Sequence, residues 1–124
     1  MSVGQQLQAI LERHCASLPD EITSVSTKFA EAILTPAHFG DRAREVTEIV
    51  HRINGSSGSL GFRTLSSAAD KFENALNDSL AAGACPDEAE IRRLRSLFSE
   101  MQKLSQQTQP TDSHLYGIDL SQVG

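Results

Sequence analysis

The protein has 124 residues, of which 39% are hydrophobic and 22% charged, and its formal net charge is −5 at pH 7. This length fits one domain that buries a core without disulfides or metal ions. The acidic balance argues against nucleic acid and against an anionic membrane surface as partners. No apolar run approaches the roughly 18 residues that a membrane-spanning helix needs, and the first residues do not resemble a signal peptide. We expect a cytoplasmic monomer in which Cys15 and Cys85 are free thiols.

The first part of the chain predicts two helices that are separated at Pro19. Apolar residues recur at helical spacing before it and again after it, and proline is disfavoured inside a helix. The second helix stops near Thr35, because the residue before Pro36 rarely adopts helical geometry. After a loop, Asp41 is the predicted N-cap of the third helix.

The second part predicts two further helices and a tail. The fourth helix ends at Gly83, a residue suited to the position just past a helix, and the fifth has Pro86 in its first turn. No periodicity continues after Gln107. We therefore predict an all-α domain over residues 1–107, an antiparallel four-helix bundle with an additional N-terminal helix, followed by a loose C-terminal tail over residues 108–124.

The stretch HRINGSSGSLGF, residues 51–62, has the composition of a linker but lies inside a helical pattern. On a helical wheel the apolar stripe of the third segment keeps one phase from Val46 to Leu60. A disordered linker would have no reason to keep that phase. We predict a continuous helix; the alternative is a break near Asn54 and Gly55.

The face opposite this stripe carries one histidine and two glycines. His51 lies about 180° from the apolar stripe, and Gly55 and Gly58 follow it one and two turns later. Each glycine inside a helix costs about 0.8–1.0 kcal/mol relative to alanine. Space on this face must therefore be needed, and close approach of another molecule to His51 is the simplest reason.

His51 has no neighbours in the sequence that suggest metal binding or hydrolysis. The positions one turn away on either side are Thr47 and Gly55, and Glu48 is the only nearby carboxylate. The chain also lacks the glycine-rich loop of ATP-binding proteins. An exposed imidazole on a rigid helix is suited to nucleophilic attack on a phosphoryl group.

The stretch HRINGSSGSLGF, followed by TLSSAADKFENAL, resembles the histidine phosphotransfer (HPt) domains of two-component phosphorelays. The positions that match the HPt pattern are His51, Ile53, Gly55, Gly58, Gly61, Leu65, Ala69 and Glu73. The resemblance implies a four-helix bundle in which His51 accepts a phosphoryl group from a receiver-domain aspartyl phosphate and passes it to another receiver aspartate. It also implies no cofactor and no autokinase activity. The partner receiver domains, including those of hybrid sensor kinases, would supply Mg²⁺.

One residue departs from the HPt pattern: Asn54 stands where the family usually has lysine, three residues after the histidine. An asparagine can donate a hydrogen bond to a phosphoryl oxygen but supplies no charge. By position, the residues assigned to the phosphoryl neighbourhood and to receiver docking are Asn54, Gly55, Gly58 and Ser59, with Arg44 and Arg52 as compensating cations and Glu48 as an opposing charge.

Two alternatives to phosphotransfer remain open at this point. One is a non-catalytic helical adaptor in which residues 54–61 form a loop between helices. The other is an HPt-like domain that sequesters receivers without productive transfer, which the loss of the lysine would favour. The remaining histidines, His14, His38 and His114, lie in unrelated contexts and are assigned structural roles.

Overall fold

The structure, a computed structural model, describes residues 2–117, and within that range it contains four α-helices and no β-strand. The helices are α1 (Val3–Leu34), α2 (Phe39–Ser59), α3 (Arg63–Ala81) and α4 (Glu88–Gln107). Helix α1 packs on α2, α2 on α3, α3 on α4, and α4 back against α1. The predicted all-α helical bundle is confirmed. No helix within the described range is long and apolar enough to cross a membrane.

Helix α1 runs through Pro19, where the sequence predicted a break. The prediction of an additional N-terminal helix is therefore wrong for the described residues, because the first two predicted segments form one helix. Leu18 and Ile22, on either side of the exposed proline, are 1% and 4% exposed and pack in the same core. Burial on both sides offsets the roughly 3 kcal/mol that proline costs inside a helix.

Two predicted helix starts are also wrong by a few residues. Helix α2 begins at Phe39, after a 3₁₀ turn, so Asp41 lies in its first turn and is not the N-cap. Phe39 is 3% exposed, and its burial explains why the helix begins two residues before Asp41. In α4 the N-cap is Asp87, whose side chain accepts a hydrogen bond from the backbone of Glu90, and Pro86 precedes the helix.

The centre of the bundle is a cluster of three phenylalanines from three helices. Phe29, Phe72 and Phe98 have ring centroids 5.3–5.8 Å apart, within the range in which aromatic rings attract one another. Helix α2 contributes Val46 and Ile53, both fully buried. This core fixes which side of α2 faces inward and hence which side faces solvent.

The C-terminal segment crosses the end of the bundle where α2 turns into α3. Gly61 makes that turn with a φ of +85°, a conformation that favours glycine. The Ser113 hydroxyl donates to the Leu60 carbonyl, and the His114 backbone donates to Gly61. The predicted loose tail thus touches the bundle at Ser113 and His114. Residues 118–124 of that prediction lie outside the described residues.

Candidate functional site

Helix α2 is continuous from Phe39 to Ser59, through the glycines that gave it the composition of a linker. The predicted continuous helix is confirmed, and the alternative break near Asn54 and Gly55 is wrong. The inward face explains this continuity, because Val50 and Ile53 are fully buried against the neighbouring helices. Burial of that face outweighs the cost of two helical glycines.

His51 projects from the outer face of α2 and bonds to a carboxylate of α3. Its side chain is 73% exposed, while that of Glu73 is 13% exposed, and His51 Nδ1 lies 2.7 Å from Glu73 Oε2. An ionised carboxylate only accepts hydrogen bonds, so the proton belongs on Nδ1. In the neutral ring the other nitrogen, Nε2, then keeps its lone pair, and it has no hydrogen bond to the described residues.

Asn54, one turn after His51, is held by three side chains of α3. Its Nδ2 atom lies 3.1 Å from Asp70 Oδ1 and 3.2 Å from Glu73 Oε1, and its Oδ1 accepts a hydrogen bond from Ser66 Oγ at 2.7 Å. The two oxygens of Glu73 are thus divided between Asn54 and His51. The sequence assigns Asn54 to the phosphoryl neighbourhood, but in the structure both of its N–H groups are already donated to side chains of α3.

The two glycines of the outer face have different surroundings. A methyl group added at Gly55 would meet nothing within 4 Å, whereas one added at Gly58 would lie 3.1 Å from Ser66 Oγ. The space at Gly55 is therefore open to an approaching molecule. At Gly58 a side chain of α3 already uses part of the space.

A shallow, open groove lies beside the histidine, and we call it the His51 groove. It is lined by His51, Arg52, Gly55, Ser56, Ser59 and Leu60. Three of the residues assigned from the sequence, Arg52, Gly55 and Ser59, are thus brought together with His51. Arg52 is the cation nearest the histidine along the helix.

Arg44 and Glu48 lie outside the His51 groove. Arg44 is two turns before the histidine, about 10 Å along the axis, and its guanidinium lies 3.2 Å from Asp41. Glu48 is exposed on α2, one turn before His51. Within residues 2–117, no group of three or more His, Cys, Asp or Glu side chains has the geometry to hold a metal ion.

The contribution of α3 to this site does not follow from the sequence pattern. Glu73 matches the HPt pattern, whereas Asp70 and Ser66 are not among the matching positions. A signal was present, since these three polar residues recur at steps of four and three, which places them along one side of a helix. Nothing in the sequence indicated that this side would face His51.

The other histidines have no part in the His51 groove. His14 is buried between α1 and α2, with Nε2 3.1 Å from Ser57 Oγ and its ring stacked on Phe62. Burial lowers the pKa of His14, and the carboxylate of Glu21 opposes that shift. The thiols of Cys15 and Cys85 are free, as predicted, and burial raises the pKa of Cys15.

Fold and site together define a class of protein: a four-helix bundle that presents one exposed, carboxylate-bonded histidine on a glycine-containing helix face. The model of the Hpt domain family matches residues 6–107, and the chain belongs to that family. No significant match was found among curated proteins or among solved structures. Family membership gives the chain a role in histidine phosphotransfer of two-component phosphorelays, with receiver domains as partners.

Proposed function

We propose that His51 accepts a phosphoryl group from the aspartyl phosphate of one receiver domain and passes it to the aspartate of another. The observation that carries this proposal is the pairing of His51 Nδ1 with Glu73 Oε2 at 2.7 Å on a side chain that is 73% exposed. A nucleophilic imidazole needs one nitrogen protonated and held, and the other free and accessible. This pair meets both requirements.

The transfer needs no proton from solvent. The lone pair of Nε2 attacks phosphorus, the Nε2–P bond forms, and the acyl-phosphate O–P bond breaks, leaving the donor aspartate as a carboxylate. The ring becomes a phosphoimidazolium whose Nδ1 proton faces the carboxylate of Glu73. In the second transfer, a carboxylate oxygen of the acceptor attacks phosphorus, and the N–P electron pair returns to Nε2.

Glu73 acts through His51 and is therefore a positioning residue. Its negative charge balances the positive charge that the ring gains on phosphorylation, and the bond to Nδ1 selects the tautomer. A charge-assisted hydrogen bond contributes about 1.5–3 kcal/mol, so we expect Glu73→Gln to slow transfer by about 10- to 100-fold.

We propose that the receivers stabilise the negative charge of the phosphoryl group during transfer. The phosphoryl group in transfer carries negative charge that metal ions and cationic side chains normally stabilise. The carboxylates of Asp70 and Glu73 lie on the neighbouring helix, and among the described residues that line the His51 groove Arg52 is the only Lys or Arg. We therefore propose that Mg²⁺ is held by the receiver and that the His51 groove is the receiver's docking surface.

The test is transfer of radioactive label from phosphorylated receivers. Purified receiver domains are phosphorylated with a labelled small-molecule acyl phosphate, mixed with the protein and Mg²⁺, and the label is tested for the acid lability and alkali stability of phosphohistidine. We expect label on the wild type and on His38→Gln, a control at another exposed histidine, and none on His51→Gln.

Two results would contradict the proposal. Label that survives in His51→Gln would place the phosphoryl group on another residue. Receiver binding without label, from every receiver tested, would identify the chain as a sequestering domain, the alternative that Asn54 in place of lysine favours. Location in the cytoplasm stays a prediction from the sequence.

A further inference from the structure

Asn54 has no free hydrogen-bond donor with which to hold a phosphoryl oxygen. A primary amide has two N–H groups, and here they are donated to Asp70 Oδ1 at 3.1 Å and to Glu73 Oε1 at 3.2 Å. Its carbonyl accepts from Ser66 Oγ at 2.7 Å. Contact between this amide and a phosphoryl group would require breaking one of these bonds.

We propose that Asn54 and Ser66 are positioning residues that hold Glu73 so that it selects the tautomer of His51. One oxygen of the Glu73 carboxylate accepts from Asn54 and the other from His51. A glutamate bonded through one oxygen can rotate about its side-chain torsions, whereas a second bond to the other oxygen restricts that rotation. This inference deepens the proposed function and rests on it for its consequence in phosphotransfer.

The orientation of the Asn54 amide follows from its partners. With the amide reversed, its oxygen would face the carboxylates of Asp70 and Glu73. Three acceptor oxygens would then lie together with no proton to form a hydrogen bond, which is unfavourable. In the orientation present, the Ser66 hydroxyl lies 2.7 Å from the amide oxygen and 3.3 Å from the Asn54 backbone carbonyl. A hydroxyl has one proton to donate, and the shorter contact assigns it to the side chain.

Gly58 belongs to the same arrangement. A methyl group at this position would lie 3.1 Å from Ser66 Oγ, so a larger residue would push the hydroxyl away from Asn54. The missing side chain at Gly58 thus gives Ser66 the room to hold the amide. This accounts for one helical glycine by a contact within the chain, whereas Gly55 remains open to a partner.

The direct test is the tautomer of His51, read from the imidazole ¹⁵N shifts and proton couplings of the free protein by NMR. We expect the wild type to carry its proton on Nδ1. Asn54→Ala and Ser66→Ala should each shift His51 toward the tautomer mixture of an unpaired imidazole, in the direction of Glu73→Gln. Asn74→Ala is the matched control, because the Asn74 side chain also bonds Asp70, at 3.3 Å, but makes no hydrogen bond to the Glu73 carboxylate.

An unchanged His51 tautomer in both Asn54→Ala and Ser66→Ala would overturn the inference, as would an equal shift in Asn74→Ala. A shift confined to Asn54→Ala and Ser66→Ala, with circular dichroism that shows the wild-type helix content, would support it. This readout needs no receiver, so it separates the two proposals. If His51→Gln abolishes labelling while the tautomer of Asn54→Ala is unchanged, the function stands and the positioning role fails.

Discussion

His14 and His51 lie on neighbouring helices and have opposite environments. His14 is 9% exposed, bonds Ser57 and stacks on Phe62. The side chain of His51 is 73% exposed and bonds a carboxylate. In the sequence each is a single histidine near apolar residues. The groups that face each ring, and not the histidine itself, separate a buried structural histidine from an exposed one that a partner can reach.

At this scale we predict that His14 makes the stability of the bundle depend on pH. Burial lowers the pKa of His14 in the folded state below its value in the unfolded chain. As the pH falls below about 6.5, the unfolded chain therefore binds more protons than the folded one, and the free energy of unfolding decreases. Denaturant titrations over this range should show the decrease in the wild type.

His14→Gln should reduce this decrease, whatever its own stability at neutral pH, because the substitution removes the titrating group. His38→Gln serves as the control, since His38 is exposed at the start of α2, and it should keep the wild-type pH profile. Equal pH profiles for His14→Gln and the wild type would show that another group is responsible.

In two helices, tertiary packing overrides a local preference for a break. Pro19 alone predicts a helix end, yet α1 continues because Leu18 and Ile22 are both buried. The glycines of α2 alone predict a loop, yet the helix continues because Val50 and Ile53 are buried. In both cases an apolar phase that continues across the breaking residue was the better guide.

The turn between α2 and α3 allows a test of how the C-terminal segment contributes. Gly61 and Gly83 both have positive φ, +85° and +73°, so alanine should be strained at either position by about 1–2 kcal/mol. Only at Gly61 would the methyl group meet other side chains, those of His114 at 2.7 Å and Ser113 at 2.8 Å.

We therefore expect Gly61→Ala to lower the free energy of unfolding more than Gly83→Ala, as measured by chemical denaturation. The difference reports the packing of the C-terminal segment, because the backbone strain is common to both variants. Hydrogen exchange at the His114 amide should also increase in Gly61→Ala alone. Equal destabilisation by the two variants would show that this segment adds nothing measurable to the bundle.

For the molecule as a whole, a glycine on the exposed face of α2 lowers the stability of the bundle but leaves space for a partner beside His51. Gly55 has open space around it, so Gly55→Ala should raise the free energy of unfolding by about 0.8–1.0 kcal/mol. The added methyl group lies in the His51 groove, where the proposed receiver must approach closely. We expect receiver affinity to fall by at least about 10-fold, measured by titration with a receiver that labels the wild type.

Gly40→Ala is the matched control for this prediction. Gly40 lies in the same helix and its position is also open, but it is near the start of α2, about 16 Å along the axis from His51. It should leave receiver affinity unchanged. Unchanged affinity in Gly55→Ala as well would show that the receiver does not use the space at this glycine.

The sequence alone was sufficient for the all-α class and for the exposed histidine on α2. Both follow from the spacing of apolar residues, because a helical stripe that is buried on one side determines which residues lie on the other. The apolar stripe from Val46 to Leu60 therefore predicts that His51 faces outward, and this prediction does not depend on the position of any neighbouring helix. The Hpt family followed from the same stretch, in which the histidine and the glycines lie at fixed spacing.

Only the tertiary structure decided what surrounds His51. Ser66, Asp70 and Glu73 lie on α3, and their distance from α2 depends on how the two helices pack and on their axial register. Periodicity within a single helix contains no information about that register. The same limit applies to Pro19, whose place inside α1 depends on burial against other helices. The sequence by itself determined which histidine of α2 faces outward, while packing between helices decided its hydrogen-bond partner and the contacts of Asn54.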